Sequence, residues 1–219
     1  MRIVVVEDHL MFREVLRKFC VNELGAQVAG VAVSGRDAIG LIRKTQPDCV
    51  LLDWRLADGD GFEVVRFTKE RRPSTRVLIL SAHCDDYTLF RVEQSGADAF
   101  VDKGTQSLGV LRRAFAAVLR GEHFYSQAYQ EAQRARASDQ HFSKILSSRE
   151  CAVLVLIGQS LSDEDIAQQL GISPNTAQTH RSHILRKLNV SSSLKLVQYA
   201  LEHGFTSFAA QRNGKQVLP

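Results

Sequence analysis

The sequence is short of several things at once. Its 219 residues hold four prolines, four cysteines and one tryptophan, and no long apolar run. The longest such run, Cys151 to Ile157, has seven residues, whereas a bilayer-spanning helix needs about 18 or more. The start, MRIVVVEDH, carries one basic residue and a four-residue apolar stretch, too little for a secretion signal. Cys20, Cys49, Cys84 and Cys151 lie far apart, each inside an apolar stretch, so a patterned disulfide framework or zinc knuckle is excluded. They are expected to be reduced core residues of a cytoplasmic protein. No GxGxxG occurs, which disfavours a dinucleotide enzyme. The segment Gly30 to Arg36 approaches a phosphate-binding loop, but Arg36-Asp37 replaces the required Lys-Ser/Thr. A strong charge excess is missing too: 28 Lys plus Arg against 24 Asp plus Glu leave +4, which does not announce nucleic acid.

What is present has a clear order. Short β-branched runs recur at Ile3–Val6, Val28–Val33, Cys49–Leu52, Val77–Leu80 and Ala99–Val101. Between them lie helical patterns, such as Phe12, Val15, Leu16 and Phe19. Alternating strands and helices predict a doubly wound parallel sheet of five strands over residues 1–120, with both faces covered by helices. The runs are nearly continuous in apolar residues, as strands buried on both sides should be. Residues 121–143 turn polar, rich in Gln, Ala and Arg and without a strand pattern; a partly helical linker is the economical reading. Residues 144–205 carry four helical patterns, near 148–158, 163–170, 175–188 and 193–203, and no strand. Ser162 before three acids, and Ser173-Pro174, open two of these helices, while Gly171 stops the one between. Residues 206–219 read as a frayed tail.

Ligands of an open parallel sheet bind beyond the carboxyl ends of its strands. There the sequence places Glu7-Asp8, Asp53, Ser81 and Asp102-Lys103. Three carboxylates crowded at one edge require neutralisation, so a hard cation, most plausibly magnesium, is implied. One carboxylate would then be free to attack phosphorus, with Lys103 and Ser81 stabilising the transferred oxygens. Bland alternatives exist. Asp8 is equally suited to capping the first helix, and Lys103 to a surface charge. Asp53 is harder to dismiss, because an unpaired buried carboxylate is costly. Asp58-Gly59-Asp60-Gly61 is a turn rather than a calcium loop, since Phe62 occupies a ligand position.

The blocks VVVED, VLLDWRLADGDG, ILSAH and AFVDKG, in this order, resemble the receiver domain of two-component response regulators, a flavodoxin-like fold. The resemblance implies that Asp53 is the phospho-acceptor and that magnesium is held by Glu7, Asp8, Asp53 and the main-chain carbonyl of Arg55. It also implies that Ser81 and Lys103 contact the phosphoryl group, and that Phe100 is the aromatic switch residue. Ala57 stands where the family usually has proline, which loosens the loop after Asp53 but removes no reacting group.

The carboxy-terminal helices read as helix, turn, helix, longer helix, joined through Gly171-Ile172-Ser173 as in a DNA-binding helix-turn-helix. Ile166, Leu170, Ile172, Ala177, Ile184 and Leu188 would pack inside. Asn175, Gln178, Thr179, Arg181, Ser182 and Arg186 would lie on the opposite face, suited to the major groove. The pattern T-x-x-x-H-x-x-x-I-x-x-K-L-x-V from Thr176 to Val190 resembles the LuxR-type helix-turn-helix of the NarL/FixJ class. By position, Gln178, Thr179 and Ser182 face bases, with Gln178 suited to adenine. Thr176, His180, Arg181, Arg186 and Lys187 are assigned to phosphates or packing. His180 and His183 lack a nearby third ligand and are not expected to bind metal. Leu194, Val197 and Leu201 form a core stripe, and the resemblance adds homodimerisation to the role of that helix.

Together these readings describe a phosphorylation-controlled DNA-binding transcription regulator, served by a sensor histidine kinase and binding double-stranded DNA. Phosphorylation would shift Ser81 and Phe100 and bias the face formed by the fourth helix, fifth strand and fifth helix of the receiver. It would not be a turnover enzyme. An aspartate-nucleophile phosphatase is disfavoured, because such enzymes place a second aspartate where Arg55 stands. A receiver used as a phosphorylation-independent interaction module is the nearer rival. Charge adds one local feature: from Ile166 to Leu201 there is no acidic residue, while Arg181, Arg186, Lys187 and Lys195 are present, the expected footprint of DNA.

Overall fold

Strand β1 (Arg2–Val6) pairs in parallel with β2 (Gln27–Ala32) on one side and β3 (Cys49–Asp53) on the other. The sheet continues through β6 (Arg76–Ser81) and β7 (Ala99–Asp102), also parallel. A two-stranded antiparallel hairpin, β4 (Arg55–Leu56) and β5 (Gly59–Asp60), stands outside it. A sixth strand, β8 (Phe124–Tyr125), adds in parallel to β7, giving the order β2-β1-β3-β6-β7-β8. β8 falls in the stretch expected to carry no strand. Two residues have no periodicity to read, and the pairing is set by the neighbour: Phe124 N–H donates to Asp98 O (3.1 Å) and Ser126 N–H to Phe100 O (3.0 Å).

This computed structural model describes residues 1–104, 107–135 and 141–206. The expected frayed tail lies, but for Thr206, outside them. Residues 1–84 with 91–131 form one compact unit, and 85–90 with 132–219 another.

In the first unit the period-two alternation of strands divides two apolar faces. Ile3 and Val5, with Leu51, Leu78, Leu80, Ala99 and Val101, pack against Leu16 and Phe19 and against Leu111, Phe115 and Val118. These come from α1 (Leu10–Lys18) with its following π-turn (Phe19–Glu23), and from α5 (Leu108–Leu119). Val4, Val6, Val50 and Leu52 point the other way and are equally buried. Contributing Ala38 and Ile42, α2 (Gly35–Thr45) lies beside β2 and β1 and against α3 (Phe62–Arg71). Asp98, buried ahead of β7, accepts hydrogen bonds from Lys69, Arg76 and the Val77 N–H, so its charge is compensated. α4 spans Asp86–Ser95 and α6 Gln127–Ala135.

A short α7 (Phe142–Ile145) precedes the four expected helices of the second unit. These are α8 (Ser148–Gly158), α9 (Asp163–Leu170), α10 (Pro174–Lys187) and α11 (Ser193–Glu202). Ser147 and Ser162 each close a reciprocal capping box, with Glu150 and Asp165. Gly171 takes φ 63° at the end of α9, the left-handed turn that lets α10 leave at an angle. Val153, Leu154, Ile157, Ile166, Ala177, Ile184, Leu196 and Ala200 are fully buried between these helices. No described helix is long and apolar enough to cross a membrane. Cys20, Cys49 and Cys151 are buried thiols, whereas Cys84 is half-exposed in the loop after β6 rather than in the core.

Glu150 ties two helices together. Besides the Ser147 cap it accepts a hydrogen bond from Lys187 Nζ at 2.7 Å. Burial favours its neutral form, but the bonds from Lys187 and Ser147 prevail and hold its pKa at about 2, against an ordinary 4.5. A carboxylate depressed on folding stabilises above its unfolded pKa, and that contribution fades as pH falls toward the folded value. Glu150→Gln is therefore expected to cost at most about 3 kcal/mol at pH 7. Thermal unfolding followed against pH should show wild type losing its advantage between about 4.5 and 2, and superimposable profiles would contradict the assignment.

Candidate functional site

The parallel register delivers the expected side chains to one edge. Val6 pairs with Leu52, Asp53 with Leu80 and Ser81 with Asp102. Glu7, Asp8, Asp53, Ser81 and Lys103 therefore all leave the sheet at its carboxyl end. Glu7, Asp8 and Asp53 each offer an oxygen within 4.8 Å of the others. Lys103 Nζ lies 2.8 Å from both Glu7 Oε2 and Asp53 Oδ2. One ammonium thus serves two buried carboxylates, while Asp8 remains exposed. Asp8 does not cap the first helix: the cap position is His9, without a side-chain bond.

Burial raises the Asp53 pKa to about 6 and the charge of Glu7 adds to the rise, against the opposing pull of Lys103 and the Arg55 N–H. The latter donates to Asp53 Oδ1 at 3.2 Å. Three carboxylates meet one ammonium here, so the negative charge exceeds what Lys103 neutralises. A small divalent cation with a preference for oxygen fits that donor set. Ser81 is buried, and its hydroxyl donates to His83 O (2.8 Å) and accepts from His83 N–H (3.0 Å). It is thus engaged by the loop after β6. The Lys103 ammonium also sits 4.6 Å from the Phe12 ring centre.

Three features of this edge were not read from the sequence. Arg13 Nη1 donates to the carbonyls of Glu7 and Asp8 (3.0 and 3.1 Å), fixing the turn that carries both acids. The loop after Asp53 is also pinned, although Ala57 suggested slackness. It forms the β4–β5 hairpin, and Asp58 caps α2 by accepting from Gly35 and Arg36 N–H (2.8 and 3.1 Å). Those bonds, the Gly35 one foremost, hold the Asp58 carboxyl below the usual range. Asp60 pairs with Arg91 of α4 at 3.1 Å, and that guanidinium stands 3.9 Å over Phe62. Third, Phe100 is fully buried and packs on Tyr129 of α6 (centroids 5.6 Å apart), which stacks on Tyr125 of β8 at 4.4 Å. Two tyrosines in a polar stretch were the only hint.

In the second unit Ala177 and Ile184 turn inward, leaving Thr176, Gln178, Thr179, Ser182 and Arg186 exposed on α10. Thr179 and Ser182 hydroxyls donate to the carbonyls four residues back (2.8 and 3.0 Å). The Gln178 side-chain amide has no internal partner among the described residues. His180 is half-buried. The expected basic face is narrower than the sequence suggested. Arg181 is committed to Asp163 (2.8 Å) and the Leu161 carbonyl, with its side chain 15% exposed. Lys187 is committed to Glu150. Both serve helix packing here, because partners 18 and 37 residues away in the chain are brought under them. Arg186 and Lys195 remain as charges without an internal partner among the described residues.

Comparison with known proteins fits this division. Residues 3–116 match the response regulator receiver domain, and residues 144–200 match the bacterial regulatory proteins of the luxR family. The response regulator protein VraR of Staphylococcus aureus is 29% identical over 203 residues, covering 92% of this chain and 97% of that one. VraR of Staphylococcus saprophyticus is 29% identical over 207 residues with the same coverage. Among solved structures, RcsB from Salmonella enterica serovar Typhimurium bound to promoter P1flhDC in the presence of phosphomimetic BeF3- superimposes with a TM-score of 0.63. It is 22% identical, with 91% of this chain and 97% of that one covered. A LuxR-family two-component response regulator from Aurantimonas sp. gives 0.58 at 29% identity, covering 63% of this chain and 98% of that one.

The raised Asp53 pKa has a consequence for stability. An acid whose folded pKa exceeds its unfolded value stabilises the fold only while protonated, and this is lost as pH rises through the folded value. At neutral pH without a cation the Asp53 charge is therefore destabilising. Asp53→Asn should raise the unfolding midpoint of the magnesium-free protein, by roughly 2–4 °C per kcal/mol gained. A lowered midpoint in calorimetry would contradict a net cost of burying that charge.

Proposed function

Because the chain belongs to the response regulators, with a receiver domain followed by a LuxR-type domain, and these are transcription regulators rather than turnover enzymes, we propose that Asp53 is the phospho-acceptor switching its DNA binding. The observation that carries this reading is the cluster of Glu7, Asp8 and Asp53 bridged by Lys103. Its proposed division is a receiver over 1–120, a linker over 121–143, a helix-turn-helix domain over 144–205 and a tail over 206–219.

In the proposed reaction an Asp53 oxygen attacks the phosphorus of a phosphohistidine on a sensor kinase. The new O–P bond forms as the P–N bond breaks, and the imidazole leaves. Magnesium, held by Glu7, Asp8, Asp53 and the Arg55 carbonyl, would neutralise charge on the transferred oxygens. Lys103, already 2.8 Å from Asp53, supplies the second positive contact. The Ser81 hydroxyl exchanges its His83 bonds for a phosphoryl oxygen. Moving Ser81 frees space toward Phe100, and Tyr129 carries the change into α6. That coupling lies in the ordinary range of about 1–3 kcal/mol, or 5–150-fold.

The second unit is assigned to duplex DNA. Gln178, Thr179 and Ser182 face base edges, while Thr176, His180 and Arg186 contact phosphates or orient the helix. RcsB has been solved on DNA, which supports this assignment, and RcsB dimers on DNA support a homodimer as the active form. A cytoplasmic site of action follows from both partners.

The test uses a small phosphodonor with magnesium, then affinity for duplexes selected from a random library, on wild type and Asp53→Asn. Wild type should take up one phosphoryl group and change affinity 5–150-fold, and the variant should do neither. No uptake by wild type refutes the acceptor assignment. Uptake without a change in affinity leaves the receiver as a phosphorylation-independent interaction module.

A further inference from the structure

Several guanidiniums of the described residues have a carboxylate partner. Arg66 pairs with Glu63, Arg76 with Asp98, Arg91 with Asp60, Arg120 with Glu122 and Arg181 with Asp163. At one place three guanidiniums without such a partner come together. Where α2 and α3 end side by side, a cavity of about 360 Å³ is lined by Arg43, Gln46, Phe67, Arg71 and Arg72. None of these three guanidiniums has an ion pair or hydrogen bond among the described residues, and no carboxylate belongs to the lining. Arg43 stands 5.5 Å from the centre of the Phe67 ring, which fixes it over one wall. The Nε of Arg72 is buried and has no hydrogen-bond partner.

Arginines at helix carboxyl ends also complement the helix dipole, and that accounts for one charge per helix. It does not account for Arg72, because a buried donor left without an acceptor costs free energy. Arg43 and Arg71 beside it are solvent-exposed, so both are open to an anion that enters the concavity. Guanidinium groups match oxyanions with paired N–H donors, above all phosphoryl oxygens. A flat basic patch would serve a polymer, whereas a concave site of this volume suits a small molecule. The space exceeds one phosphate ion, and the Phe67 wall offers an apolar surface for the remainder of the ligand.

We propose that this cleft at the ends of α2 and α3 binds a small molecule carrying two or more phosphoryl charges, with Arg43, Arg71 and Arg72 as the anion contacts. It is distinct from the Asp53 edge, whose own side chains are acidic.

The test is calorimetric titration of the full-length protein, magnesium-free, with pyrophosphate and with adenosine diphosphate. Wild type should bind at least one of them, and Arg72→Ala and the double variant Arg43→Ala/Arg71→Ala should each weaken that binding at least tenfold. Uptake of phosphoryl by Asp53 should stay at the wild-type level in both variants, which checks their folding. Tighter binding of the nucleotide assigns Phe67 to the organic part, and equal binding assigns the site to the diphosphate alone. No binding of either probe by wild type, unchanged binding by both variants, or capture only of duplex DNA overturns the proposal.

Discussion

Two buried carboxylates, Glu7 and Asp53, share one ammonium, and the shape of the first unit follows from keeping that arrangement together. Lys103 lies 2.8 Å from each acid, so neither has the cation to itself. With Asp8 alongside, the edge carries more negative than positive charge, and like charges this close resist ionising together. The pKa of about 6 on Asp53 reflects its burial first, with the charge of Glu7 adding to it. The strands that bring the acids together are buried on both faces, and their apolar packing is what can bear it. Arg13 holds the backbone of Glu7 and Asp8, and the Arg55 N–H holds Asp53. An edge arranged in this way offers three converging carboxylates to the cation proposed for it.

The surrounding elements limit how any change at that edge can spread. The loop after Asp53 is tied to α2 through Asp58 and to α4 through Asp60 and Arg91. Ser81 is held by its own loop. Phe100 has no solvent to turn into and meets Tyr129 instead. Packed interiors move between discrete arrangements rather than deforming smoothly, so these contacts define the steps open to the receiver. In the second unit the charges are spent largely on architecture, with Arg181 on Asp163 and Lys187 on Glu150. What α10 presents outward is then mostly neutral: an amide, hydroxyls and Arg186.

The five longer strands were legible because each is a short apolar run, although only the inner four are buried on both sides and β2, at the sheet edge, is half-exposed; the acids at their ends were legible because the topology fixes which ends meet. Ser162, Gly171 and Ser173-Pro174 marked helix boundaries by local chemistry alone. The features that escaped are those set by tertiary contacts. β8 is two residues long and exists because β7 offers an edge. Tyr129 reads as one aromatic in a polar helix until Phe100 is placed beneath it. Arg13 looks like any surface arginine of a first helical turn. The basic stretch from Ile166 to Leu201 read as a DNA footprint, but two of its four cations find acids that lie before it in the chain. Strand pattern and residue type forecast which side chains meet at the receiver edge; they could not forecast which side chains the fold would use for itself.

The central proposal is that the Glu7–Asp8–Asp53 edge holds a cation beside Asp53, the proposed phospho-acceptor. The single tryptophan, Trp54, follows Asp53 directly and is buried, so its fluorescence reports on that edge. Titrating magnesium into the cation-free protein should give a saturable fluorescence change that Asp8→Asn weakens at least tenfold. Asp8 is exposed, so the substitution leaves the core intact. No saturable change in the wild type, or the same affinity in Asp8→Asn, would contradict the account.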